Sequence, residues 1–307
     1  MRILLTNDDG IRAPGILALH RALVGDHPDF NTPLGDVFVV APETVQSATS
    51  HGVTFHQPLM ARPTTVGGTI DGVAVDGRPA DCVKLALSAL WPERFGETSQ
   101  PEQSQPDIVI SGMNAGANAG VNIIYSGTVA AAIEAAFLGV PSIAVSLHLG
   151  RGRPLFDVAA GHARRAIEAI LGAGQLERHE CLNVNIPRAE EPTAGEDGAL
   201  IHGARTSSVR AELPVDEPGH DPREMPPIRV CPMNTHGLVD RYERRESPAG
   251  TPYYWASGGG MDFHSTEPGT DVDLLFNRHI TVTPLRYDMA KPEGLATWRD
   301  RLGSEKS

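Results

Sequence analysis

The sequence predicts an α/β fold in which a mostly parallel sheet is covered by helices on both faces. Three observations predict it. Short apolar runs recur at residues 3–5, 37–40, 108–110, 143–145 and 182–186, each too brief for a buried helix and bounded by turn residues. Helical segments near residues 15–24, 80–90, 128–138 and 158–171 lie between them. Strands that alternate with helices imply parallel pairing, and near-continuous apolar strands imply a sheet with no face in water. The fold class is therefore a Rossmann-like three-layer sandwich.

Punctuation along the chain agrees with this order. Pro14 stands near the start of the first helix, and Gly139-Val140-Pro141 closes the third. Residues 43–79, rich in Thr, Gly and Val, read as extended or hairpin structure inserted between two units. Composition changes after Pro187, and residues 188–228 hold many Pro, Glu, Asp and Gly with little periodicity, as a long surface insertion would. Strand-like runs then return at 228–230, 252–255 and 279–285, the last alternating as Ile280-Thr281-Val282-Thr283-Pro284-Leu285. A short amphipathic helix around residues 294–302 ends the chain. The expected organisation is one domain over 1–307: a core of 1–187, the surface insertion 188–228 and a β-rich C-terminal extension, 229–307.

The totals exclude several classes. At 307 residues the chain can bury a substantial core. Its 38 acidic residues against 26 basic give a net charge of −12, which disfavours long nucleic acids and anionic membranes as partners. A small phosphorylated substrate is not disfavoured, because a bound divalent cation reverses the local field. Cys82, Cys181 and Cys231 are widely spaced and fit no metal pattern, so reduced thiols and a cytoplasmic protein are expected. No stretch reaches the ~18–20 apolar residues of a membrane span, and the opening residues lack the apolar run of a signal peptide.

The chemistry gathers where strands end. Met1-Arg2-Ile3-Leu4-Leu5-Thr6-Asn7-Asp8-Asp9-Gly10 puts two adjacent carboxylates at the exit of the first strand. Ligands of open parallel sheets collect at that end, and two carboxylates there repel unless a cation lies between them. Side chains alternate along a strand, so both acids can address one site only where the backbone has left it. The second strand runs into the hydroxyl-rich loop Gln46-Ser47-Ala48-Thr49-Ser50. The third runs into Ser111-Gly112-Met113-Asn114-Ala115-Gly116-Ala117-Asn118-Ala119-Gly120, which is neither a dinucleotide fingerprint nor a Walker A loop. A plain turn also uses Gly and Asn. Tyr125-Ser126-Gly127-Thr128 opens an Ala-rich helix, and its first amides are both a capping site and an anion site. Two carboxylates, a hydroxyl and an amide carbonyl favour Mg²⁺, Mn²⁺ or Ca²⁺ over Zn²⁺. A hard cation beside an anion-binding helix start suggests hydrolysis of a phosphate ester, with a metal-activated water as nucleophile.

These segments resemble the SurE family (survival protein E, 5′/3′-nucleotidases) over nearly the whole length. The resemblance rests on ILLTNDDG with Ala13-Pro14-Gly15, VVAPE followed by QSATS, DGRPADCV (76–83), PDIVISGMNAGANAG, IYSGTVAAAIEA, LNVNIP and GTD (269–271) with ITVTPL. It implies metal-dependent release of phosphate from nucleoside monophosphates and, in some members, from short polyphosphate. It implies one divalent cation per subunit, Mg²⁺ or Mn²⁺, held by Asp8, Asp9, Ser47 and Asn114, with Asp8, Asp9 and Asn114 carrying catalysis. Asn118, Ser126, Gly127 and Thr128 would hold the phosphate, with Asn7 nearby. It also implies a homodimer or homotetramer whose C-terminal segments exchange between subunits.

Two features depart from the family pattern. Its loop usually continues Ser-Gly where this chain has Ser47-Ala48, and a Gly required there for a positive φ would force another bend. The 188–228 segment is longer than the family leads one to expect. Adjacent acids rather than a D-x-D pair argue against Asp8 as a covalent nucleophile. His51, His148, His236 and His264 are the histidines whose loops could reach the site, and none is assigned as proton donor. Asp81 is expected to cap the second helix or to support the site. Tyr253, Tyr254 and Trp255 could stack on a base or form core or interface. A non-catalytic nucleotide-binding regulator on the same fold is the alternative function; it would not need two acids together with Ser47 and Asn114.

Overall fold

A computed structural model of the protein describes residues 1–68, 70–96, 105–150, 152–191, 221–237, 241–256 and 265–303. Strand β1 (Arg2–Thr6) is followed by α1 (Pro14–Val24), β2 (Asp36–Pro42), β3 (Ala61–Val66), β4 (Ile70–Val75), α2 (Pro79–Leu85) and α3 (Trp91–Phe95). Next come β5 (Ile108–Ala115), α4 (Gly127–Phe137), β6 (Ser142–Leu147), β7 (Arg153–Pro154), α5 (Phe156–Ala173), β8 (Cys181–Ile186) and β9 (Glu190–Glu191). The C-terminal part supplies β10 (Ile228–Val230), β11 (Tyr242–Glu246), β12 (Pro252–Ala256), α6 (Asp271–Phe276), β13 (Ile280–Leu285) and α7 (Pro292–Leu302). Most of the 188–228 segment, residues 192–220, lies outside the described residues.

Nine strands make one sheet in the order β10-β13-β8-β6-β5-β1-β2-β4-β3. From β8 to β4 all neighbours are parallel, while β13 and β3 pair antiparallel with β8 and β4. The chain moves from β1 outward to β2 and β4, then returns on the other side of β1 as β5. The β1–β5 boundary is therefore the topological switch point at which open α/β sheets bind ligands.

Alternation along the inner strands builds two cores. Ile3 and Leu5 of β1 face α1 and α5 with Val39, Ile110 and Val145; Leu4 faces the opposite side with Phe38, Val40, Trp91 and the alanines of α4. Both faces are dry, as the apolar strands predict. The hairpin expected within residues 43–79 is β3–β4. The helix expected over 80–90 is interrupted: α2 passes into a π-helical stretch (Ala86–Leu90) before α3. Pro92 has no N–H for the carbonyl of Ser88, and its ring crowds that carbonyl, so a regular helix cannot run through.

Helix α1 approaches β5 so closely that a Cβ on Gly15 would lie 2.0 Å from the Met113 carbonyl oxygen. Helix propensity favours Ala over Gly by about 1 kcal/mol. Steric overlap reverses the sign here: Gly15→Ala is expected to lower the unfolding free energy by about 1–3 kcal/mol in a urea titration. An unchanged or higher midpoint would contradict this packing.

Candidate active site

At the end of β1 the chain turns at once. Asn7 is fully buried; its Nδ2 donates to the Gly10 carbonyl at 2.8 Å, and its Oδ1 is buried with no hydrogen-bond partner. Asp8 points toward α4, where its Oδ1 accepts a hydrogen bond from the Thr128 hydroxyl. Burial pushes the Asp8 carboxyl up to about 6; the Thr128 hydroxyl and backbone amide oppose that, and the Asp9 charge adds to it. Gly127 adjoins the same carboxylate, since a Cβ there would stand 2.8 Å from the Asp8 Cβ and 3.0 Å from its Oδ2. Ser126 caps the helix by accepting from the Val129 N–H at 3.1 Å. The helix start is thus capped, and its dipole is directed at Asp8.

Asp9 turns the other way, toward β5, and its Oδ2 accepts from the Ala115 N–H at 2.8 Å. Asn114, the residue before, donates its Nδ2 to the Gly116 carbonyl at 2.7 Å. The Ser47 loop reaches the same place through its backbone: the Gln46 N–H donates to the Asp8 carbonyl at 2.7 Å. Ser47 itself is exposed beside that bond. Ala48 takes a φ of 56°, so the loop keeps the left-handed bend that a glycine would make easily. An alanine in that conformation loads the turn with strain.

The hydrogen bonds that fix Asn118 run to β6 and β8. Its N–H donates to Asn185 Oδ1 at 2.9 Å, its carbonyl accepts from Asn183 and Asn185 Nδ2, and its own Nδ2 donates to Ser146 Oγ at 2.8 Å. Two residues on, the Gly120 N–H donates to Asp271 Oδ2 at 2.8 Å, while Asp271 Oδ1 accepts from Asn234 and Val272. Burial raises the Asp271 carboxyl, and those backbone donors partly offset it. Sequence spacing alone assigns no role to Ser146, Asn183, Asn185 or Asp271. One signal was available: two asparagines at alternate positions of an otherwise apolar buried strand need partners on one face.

The other candidates separate. Asp81 both caps α2, accepting from the Arg78 N–H at 3.0 Å, and holds Thr54 through its N–H and hydroxyl at 2.7 and 2.8 Å. His148 is buried against Phe276, and burial, helped by the charge of Arg188, pushes its imidazole down to about 3. It is neutral at neutral pH and has no proton to donate as an imidazolium. His236 lies 3.4 Å from Asn234 Oδ1, and His264 lies outside the described residues. Tyr253, Tyr254 and Trp255 sit on the exposed hairpin β11–β12. Among the described residues no cluster of three or more His, Cys, Asp or Glu converges on a metal site, so any cation here would depend on neutral oxygens beside the acids. Among them too, no helix is long and apolar enough to cross a membrane.

A family model described as Survival protein SurE matches residues 3–206, from β1 past β8. The chain belongs to the SurE family. Proteins named 5′-nucleotidase SurE from Syntrophobacter fumaroxidans and Rhodopirellula baltica are each 37% identical to it, over 97% and 98% of this chain and 98% of their own lengths. The crystal structure of the SurE protein from Aquifex aeolicus superposes with a TM-score of 0.70 at 31% identity, covering 98% of this chain and all of the other.

The strain at Ala48 can be measured. Ala48→Gly is expected to stabilise the protein by about 1 kcal/mol in chemical denaturation, the usual scale of a left-handed alanine. A loss of stability would show that the bend is not strained.

Proposed function

We propose that the chain is a metal-dependent phosphomonoesterase that hydrolyses nucleoside 5′- or 3′-monophosphates to nucleoside and phosphate. The observation that carries this reading is the meeting of Asp8 with Gly127 and Thr128 at the β1–β5 switch point, which sets one carboxylate of the adjacent pair against a helix start while Asp9 holds β5. The relatives' name, 5′-nucleotidase SurE, supports it.

Asp8, Asp9, Ser47 and Asn114 would hold one divalent cation, Mg²⁺ or Mn²⁺. The donor set fits a hard cation. The Asp8 carboxyl is raised by burial and by Asp9, a cost that a cation relieves, and Asn7 Oδ1 is a buried oxygen without a partner beside them. When bound, such a cation supplies Lewis acidity toward a phosphoryl oxygen and an attacking water. Asn118, Ser126, Gly127 and Thr128 would hold the non-bridging oxygens, with Asn7 behind the acids; amides at the start of α4 would stabilise charge as it develops. Asp8, Asp9 and Asn114 orient the reacting centre.

The buried free thiols Cys82, Cys181 and Cys231 suit a reducing cytoplasm. A homodimer or homotetramer is the assembly we propose; among the described residues, the exposed Tyr242, Tyr254 and Trp255 of β11–β12 and an α7 that buries no residue of its own support it.

Phosphate release from a panel of nucleoside monophosphates and short polyphosphates tests the reading. Activity should vanish on EDTA treatment and return with Mg²⁺ or Mn²⁺. Asp8→Asn should lose more than about 100-fold, since even groups supporting a ligand are worth about 10- to 100-fold. A nucleotide-binding regulator would instead keep its affinity in Asp8→Asn and show no turnover in the wild type. Within the site, Asn114→Ala should raise the metal concentration needed for half-activation, and Ser126→Ala should mainly raise KM. Equal metal affinity in Asn114→Ala and wild type would remove Asn114 from the ligand set.

A further inference from the structure

Glu134 is the only charged residue of α4, and its side chain is 6% exposed. A carboxylate so placed needs partners, and it has two from different elements. His51 Nε2 lies 2.7 Å from its Oε2, and Lys84 Nζ of α2 donates to its Oε1 at 2.9 Å. Burial alone would raise this carboxyl; the hydrogen bonds and charges of His51 and Lys84 outweigh it and hold the group below its ordinary range.

His51 lies four residues after Ser47 in the loop between β2 and β3. That loop contains two non-glycine residues in left-handed conformations, Ala48 at φ 56° and Ser50 at φ 54°. Such conformations persist only where the surroundings over-determine them. The surroundings here are countable. Gln46 N–H is bonded to the Asp8 carbonyl, and Ser50 bonds to the Tyr125 and Ile124 carbonyls through its N–H and hydroxyl, at 3.1 and 2.8 Å. His51 is bonded to Glu134, a residue of the helix whose first turn touches Asp8.

We infer that His51 and Glu134 form a clamp that positions the Ser47 loop against Asp8, so that divalent-cation affinity is controlled by two residues outside the ligand set. The link to the cation rests on the metal reading above; the mechanical link does not. Both residues are positioning residues. Groups that orient metal ligands typically change affinity by about 10- to 100-fold when removed.

The test uses the full chain and Mn²⁺ alone as probe. In His51→Ala, Mn²⁺ affinity measured by calorimetry should weaken about tenfold, while the thermal midpoint stays close to wild type because Asp81 still holds Thr54. Amide hydrogen exchange at Gln46 and Ser50, the two loop donors, should quicken in the same variant without any metal present. His51→Gln, whose amide nitrogen can reach the place of Nε2, should restore part of both. Unchanged exchange in His51→Ala would overturn the clamp. Faster exchange with unchanged Mn²⁺ affinity would overturn its coupling to the cation. If the wild type binds no Mn²⁺, the metal reading fails and with it the coupling, while the exchange result alone decides the clamp.

Discussion

The contact between Asp8 and the start of α4 is the constraint on which the rest depends. Taking a carboxylate out of water costs several kcal/mol unless donors replace the lost hydration. The Thr128 hydroxyl and amide do so, aided by a helix terminus whose dipole is worth up to about 2 kcal/mol in a partly buried setting. The compensation is incomplete, and burial leaves the Asp8 carboxyl pushed up to about 6. The end of β1 and the head of α4 are therefore held together by a bond that also leaves an unrelieved charge. Sites of this kind trade stability for readiness to bind.

The C-terminal part of the chain belongs to the same arrangement. β13 joins β8 antiparallel and carries β10 with it, so residues far along the chain complete the sheet begun at β1. Asp271 then reaches back to Gly120, and Asn185 of β8 holds Asn118. The Gly/Asn loop after β5 has little side-chain bulk to fix its own shape. Its conformation comes from carboxylate and carboxamide partners supplied by later elements.

The parallel core was legible in the sequence because its strands are dry on both faces and so stand out as short apolar runs. β1, β2, β6 and β8 with α1, α4 and α5 follow that signal closely, whereas β5 runs on to Ala115 through the Gly/Asn stretch and the helix expected over 80–90 breaks after Leu85. The acids at 8 and 9 were legible too, since two carboxylates at a strand exit violate the local preference for separation. Other features carry no such mark. β11, with Tyr242-Glu243-Arg244-Arg245-Glu246, is polar and exposed, and only pairing with β12 makes it a strand. The six-residue helix α6 is too short to show periodicity. The partners of Asn118 and Glu134 are long-range in the chain, at separations such as 67 and 83 residues, where spacing says nothing. The left-handed Ala48 carries no mark in the sequence either, since alanine is not the residue that such a bend favours.

Helix α4 places the anion-facing end of this arrangement with side chains that have almost no shape of their own. Ala130, Ala131, Ala132, Ala135 and Ala136 are all buried, and none has a rotamer to choose. A helix seated mainly on methyl groups, with Val129 as its one large fully buried side chain, has little room to accommodate error by repacking. Its distance from β1 is consequently set by methyl groups against Leu4, like a machined spacer, with few adaptable side chains of its own to take up slack. Variation in such a helix would be filtered by size before chemistry, since an added methylene lifts the whole element and carries Thr128 away from Asp8.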